Sequence, residues 1–127
     1  MANNDDRLTC ADFRARRERM GIDRRDLQDA CNVSQPTAFR WESSGDRHLK
    51  IAPRAWDWLK ARELDFALAV RELHDSAKAS AESDFITLTY PQTTDYDRAI
   101  ARAAAERLMA EGYEVMFTYT DDTKECQ

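Results

Sequence analysis

The side chains best suited to recognition chemistry fall within two helical turns: Gln35, Thr37, Phe39 and Arg40. An amide, a hydroxyl, an aromatic ring and a guanidinium together supply donors, acceptors and apolar surface. They lie in Ser34-Gln-Pro-Thr-Ala-Phe-Arg-Trp-Glu42, which reads as a short capped helix. Ser34 is a good N-cap, because its hydroxyl accepts from a backbone N–H one turn inside. Pro36 falls in the first turn, where a missing N–H costs nothing. Ser43-Ser44-Gly45 is a sensible stop. Ala38 and Trp41 are spaced to face inward, which leaves the polar, aromatic and cationic set outside. A helix with that surface fills a core poorly and suits entry into the major groove of DNA.

Other chemistry has little support. No GxSxG, Walker loop, HExxH or paired Cys/His arrangement occurs, so no catalytic residue, cofactor or metal ligand is expected and the chain reads as no enzyme. The three cysteines, Cys10, Cys31 and Cys126, lack the C-x2-C spacing of a metal site and read as reduced thiols. His48 and His74 are isolated from each other and read as loop or surface histidines. Arg14, Arg16 and Arg19 read as a solvated helix face. Trp56 reads as core and Trp58 as a partly exposed interface residue.

The elements that must position the Ser34–Glu42 helix follow from caps and periodicity. Thr9 opens a helix through Met20, with Phe13, Arg17 and Met20 on one face and Gly21 ending it. Asp23 caps a second helix, Arg24 to Cys31, with Asp26 in the capping-box position and Leu27 and Cys31 inward. Asn32-Val33 makes the tight turn, Asn32 being able to take a left-handed conformation. A polar loop runs from Gly45 to Lys50. Pro53 then begins one long helix, or two nearly collinear ones, to about Ala79 whose stripe is Trp56, Leu59, Phe66, Val70 and Leu73. Residues 78–84 are a small polar link. Phe85 to Tyr90 alternates as a strand, Asp95 caps a helix from Tyr96 to Glu111, and Tyr113 to Tyr119 is a second strand. The last residues, from Asp121, read as a frayed tail.

The expected architecture is mostly α with a small C-terminal β-α-β unit, in two domains, 1–62 and 63–127. A chain of 127 residues is long enough for two very small domains. Its net charge of −5 is unevenly spread. Residues 1–62 carry 13 Lys and Arg against 10 Asp and Glu, a balance of +3, whereas residues 63–127 carry 6 against 14, a balance of −8. The basic charge surrounds the Ser34–Glu42 helix, and the acidic half would point away from DNA. No apolar run is long enough to span a membrane, and the start Met-Ala-Asn-Asn-Asp-Asp is no signal peptide, so the expected location is cytoplasmic.

The run L-x-x-A-C-N-V-S-Q-P-T-A-F-R-W-E-S, preceded by Met20-Gly21-Ile22, resembles the helix-turn-helix of phage-repressor-like, Cro/Xre-type DNA-binding domains. The resemblance covers roughly Leu8 to Arg62 and implies a lambda-repressor-like helix-turn-helix bundle. Ala30, Asn32 and a buried Val33 would hold its two helices at the usual angle. It implies base contacts at Gln35, which can pair with adenine N6 and N7, and at Arg40, which matches guanine O6 and N7. Thr37 and Phe39 would meet thymine methyls, while Pro36 replaces an often polar position. Phosphate contacts would fall on Arg24, Ser34, Arg47 and Lys50. Arg17 and Glu42 would form a structural pair that fixes the recognition helix.

Two strands with one covering helix make an incomplete unit. The cheapest completion is a second copy of the chain, meeting through Phe85, Ile86, Leu88, Tyr90, Val115, Phe117 and Tyr119. The layout, with I-x-P-R-A-W-x-W-L after the loop, is also similar to anti-CRISPR-associated autorepressors of phages and mobile elements. The resulting expectation is a homodimeric transcriptional repressor on an inverted-repeat DNA operator. The alternatives are an antitoxin-like or adaptor protein whose acidic half binds a protein partner, and RNA binding through the exposed aromatics of the small sheet.

Overall fold

The computed structural model of the protein describes residues 9–43 and 50–120. Among these the chain is mostly helical, with a small two-stranded parallel sheet. In order the elements are α1 (Cys10–Arg19), α2 (Arg24–Cys31), α3 (Gln35–Trp41), α4 (Pro53–Ala79), β1 (Phe85–Thr89), α5 (Asp95–Ala110) and β2 (Glu114–Thr118). Two compact units, Met1–Leu64 and Asp65–Gln127, divide within α4. None of the described helices is long and apolar enough to cross a membrane.

In the first unit, local chemistry sets the helix ends. The Thr9 hydroxyl accepts from the Asp12 N–H at 3.0 Å and starts α1. Asp23 precedes α2 in extended conformation, but its side chain makes no cap bond. The expected capping box is absent because the Asp26 N–H is already taken by the Asp23 carbonyl at 3.0 Å. Asn32 adopts the left-handed conformation (φ 54°), so α2 stops and only three residues separate it from α3. Ala30, expected between the two helices, is exposed instead, and Val33 is only half-buried. Leu27 and Cys31 are the α2 residues that bury against the core.

That core gathers Phe13, Met20, Ile22, Leu27, Ala38, Trp41, Trp56 and Leu59. Phe13 and Trp56 meet edge-on with ring centres 5.0 Å apart. Each fully buried side chain of this size contributes about 1.5–3 kcal/mol, so the core rather than helix propensity holds the short α3 in place. Two arginines tie α4 to its neighbours. Arg54 Nε donates to the Cys31 carbonyl at 3.2 Å, closing the C-terminal end of α2. Arg16 Nε donates to Glu63 at 2.9 Å, Nη1 donates to Asp12 at 3.1 Å, and the guanidinium lies 5.7 Å from the Trp56 ring centre. Arg16, expected on a solvated face, is therefore a bridge between α1 and α4.

The second unit is a β-α-β arrangement completed by the later turns of α4. Thr94, not Asp95, caps α5: its hydroxyl accepts from the Asp97 N–H at 3.0 Å. The shift by one residue puts Asp95 and Asp97 in the first turn, where the helix dipole favours negative charge. In the parallel register Ile86 pairs with Val115 and Leu88 with Phe117. Ile86 and Leu88 pack with Ala77, Ala105 and Leu108, with Leu73, Tyr113 and Val115 around them. The run of alanines on α5, Ala101, Ala104 and Ala105, presents little bulk, so β1 and α5 can approach closely.

One buried polar group fastens this unit. His74, expected at the surface, is 4% exposed. Its Nδ1 lies 2.9 Å from Asp75 Oδ1 and its Nε2 lies 2.6 Å from Glu111 Oε1. The imidazole therefore links α4 to the residue that closes α5.

Candidate nucleic-acid interface

α3 buries one face and offers the other. Ala38 and Trp41 are buried, while Gln35, Pro36, Phe39 and Arg40 are exposed, Phe39 by 53%. Gln35 and Phe39 share one line of the helix, one turn apart, with Pro36 and Arg40 beside them. Thr37 differs from this group. It is half-buried and its hydroxyl lies 3.1 Å from that of Ser34, which also accepts from the Thr37 N–H at 3.4 Å. Ser34 and Thr37 thus spend their hydroxyls on each other at the start of α3. At its end, Ser43 Oγ donates to the Phe39 carbonyl at 2.7 Å.

The closing residue of α3 is held from below. Arg17 Nε and Nη2 donate to the two carboxylate oxygens of Glu42, each at 2.6 Å, and Arg17 Nη1 donates to the Ile22 carbonyl at 2.6 Å. Both side chains are nearly inaccessible, 7% and 1% exposed. Burial pulls the Arg17 guanidinium down, but the hydrogen bond and charge of Glu42 outweigh it and leave its pKa raised. The two residues that the sequence pairs are brought together as a two-pronged fork.

Arg24 joins them. Its Nε donates to Glu42 Oε1 at 3.2 Å, and its guanidinium carbon lies 5.1 Å from the centre of the Phe39 ring. Expected as a phosphate contact, Arg24 is tied into the scaffold while remaining 25% exposed. Around it a shallow polar depression is lined by Asp23, Arg24, Arg25, Gln28 and Gln35. Arg25 is exposed there and was not singled out by sequence; the Arg-Arg doublet opening α2 is the signal that marks it. Lys50 is exposed. Arg47, His48 and Cys126 lie outside the described residues.

The C-terminal candidates divide by strand parity. Ile86 and Leu88 are core, and Val115 packs against them, so these three are corrected from dimer contacts to internal packing. The reason is the period of two: the apolar parity of a strand is the one its own covering helix takes. Tyr90, Phe117 and Tyr119 form an edge-on aromatic group, with ring centres 5.1 Å (Tyr90–Phe117) and 6.3 Å (Tyr90–Tyr119) apart. Arg102 Nη1 donates to the Tyr90 hydroxyl at 2.7 Å. Phe85 belongs to the opposite parity and is 39% exposed, as is Met116, 48% exposed, which the sequence reading passed over.

Comparison with protein-family models, curated proteins and solved structures finds no match.

Proposed function

We propose that the first unit is a helix-turn-helix domain of the Cro/Xre type and that the protein is a sequence-specific DNA-binding regulator. One observation carries the reading. A short helix is buried on one side, clamped at its end by Arg17 and Glu42, and carries Gln35, Phe39 and Arg40 on its free side. Rigid seating of an exposed amide and guanidinium is what direct readout of base edges requires, with Gln35 suited to adenine and Arg40 to guanine. Arg25, Lys50 and the outer edge of Arg24 supply cations for phosphates, which give affinity and register but no sequence information. The excess of basic residues over 1–62 agrees with this use.

The more particular reading is a homodimeric repressor of its own operon, similar to the anti-CRISPR-associated autorepressors of phages and mobile elements, acting in the cytoplasm. It rests on layout and on the need for a second half-site. The second copy would meet the outer face of the small sheet, where Phe85 and Met116 are exposed, and would set two α3 helices about 34 Å apart on an inverted repeat.

Arg40→Ala is expected to lose about 1–3 kcal/mol of specific binding and to relax one position of the site, read by titrating duplexes selected from random DNA. Binding equal to that of the unsubstituted protein would sink the assignment of α3. Met116→Glu is expected to convert the dimer to a monomer by light scattering without loss of helix content. A dimer that survives it would show that the copies meet elsewhere.

A further inference from the structure

Phe39 is a large apolar ring exposed on the side of α3 that the proposed function turns toward DNA. An aromatic ring so exposed has rotamer freedom to lose on binding, and immobilising it weakens the complex. The structure contains a device that reduces this loss. Arg17 grips both oxygens of Glu42, Glu42 accepts from Arg24 Nε, and the Arg24 guanidinium lies 5.1 Å from the Phe39 ring centre. The chain of contacts runs from a buried pair, through a half-buried planar cation, to an exposed ring. Arg24 Nη1 and Nη2 make no hydrogen bond to any other described residue, so the outer edge of the same guanidinium stays open to a phosphate.

We propose that Arg24 is a positioning residue for specificity: it orients Phe39 against a thymine methyl, beyond any phosphate contact it makes. The proposal rests on the reading of α3 as the DNA-recognition helix. A guanidinium is suited to the task because one planar group can donate from its Nε edge, stack on a ring with its face and still offer its outer nitrogens. A lysine keeps the charge but has neither the plane nor the fork. A purely electrostatic role for Arg24 would therefore survive Arg24→Lys, and a positioning role would not.

The test uses the full-length protein and duplexes enriched from a random-sequence library. Each thymine of the enriched site is replaced in turn by deoxyuridine, which removes only the methyl group. Wild type should lose about two- to fivefold in affinity at one such position, the range expected for removing one buried methyl group. Arg24→Lys should abolish most of that methyl discrimination, read within each variant as the ratio of affinities for the thymine and deoxyuridine duplexes, so that any change in phosphate binding cancels. Phe39→Leu should abolish it too, and the double variant should behave as Phe39→Leu alone. Tryptophan-fluorescence melting of each variant confirms that the fold is kept.

If Arg24→Lys retains full methyl discrimination, or if the two substitutions multiply, the positioning role is overturned while the DNA reading stands. The positioning role alone also falls if the protein selects a site that no deoxyuridine weakens. If wild type enriches no sequence, the DNA reading falls and this inference falls with it.

Discussion

Each unit buries a cationic side chain against carboxylate, and the two solutions differ in chemistry. Arg17 sits under α3, 6% exposed, with its guanidinium forked onto Glu42. His74 sits under the end of α5, 4% exposed, with one ring nitrogen toward Asp75 and the other toward Glu111. Both fasten an element that caps and periodicity alone leave loosely attached. A guanidinium stays charged throughout the accessible pH range, so the Arg17 half of its pair does not titrate. An imidazole can donate from both nitrogens only when protonated, so the His74 fastening depends on pH. The unit proposed to meet DNA is held by the group that does not titrate.

The comparison makes unequal demands on three substitutions. Glu42→Ala leaves Arg17 buried without its partner and should destabilise the first unit by about 3–5 kcal/mol, because an unpaired buried charge is costly. The measurement is denaturant unfolding followed by tryptophan fluorescence, since all three tryptophans, Trp41, Trp56 and Trp58, lie in that unit. A loss below about 1 kcal/mol would mean that the pair is no more than a surface bridge.

The second demand concerns pH. Hydrogen bonds that His74 donates to Asp75 and then to Glu111 raise its pKa against the opposing effects of burial and Arg107. The same contacts lower both carboxylates, Glu111 with help from Lys78 at 3.6 Å. A raised histidine contributes stability that is complete below its unfolded value near 6.5 and is lost as pH rises through the folded value. The lowered carboxylates contribute above their unfolded values, near 4, and lose that contribution in acid. Protection of the Ile86 and Leu88 amides from hydrogen exchange, corrected for intrinsic rate, should therefore fall as pH rises from the unfolded histidine value through the raised folded one. The fluorescence transition of the first unit should not move over the same range. His74→Gln should flatten the dependence, and an unchanged slope would assign it to other groups. The smallest effect is the control: Arg14→Ala breaks an exposed pair with Glu18 (3.3 Å) and should change stability by less than about 0.5 kcal/mol.

Most of the N-terminal elements were legible because their signals are local. Thr9 and Ser34 cap through their own hydroxyls, Asn32 takes the left-handed turn, and Ala38 and Trp41 sit at the buried spacing. The failures share a cause. Asp23 has the composition of a cap, but a backbone bond reaches Asp26 first. Ala30 is small enough for a helix crossing, but α2 turns it outward. Arg16 and Arg24 lie on helices that sequence alone leaves charged and solvated, yet each reaches a carboxylate on another element. Ile86 and Leu88 were chosen as dimer candidates by apolar character, which in a covered sheet marks the inner face.

What the sequence by itself determined is the order of elements, the exposure of Gln35, Phe39 and Arg40 though not that of Thr37, and the uneven charge of the two halves. These depend on periodicity, on caps within four residues and on counting. The Arg17–Glu42 pair was implied by the family resemblance, but only the tertiary structure decided that Arg16, Arg24 and His74 are met by carboxylates on other elements. Arg24 and Glu42 are separated by 18 positions, and His74 and Glu111 by 37, so no local pattern records their meeting. A charged side chain is stable in a core only where the folded chain brings an opposite charge to it, and that depends on packing rather than on spacing.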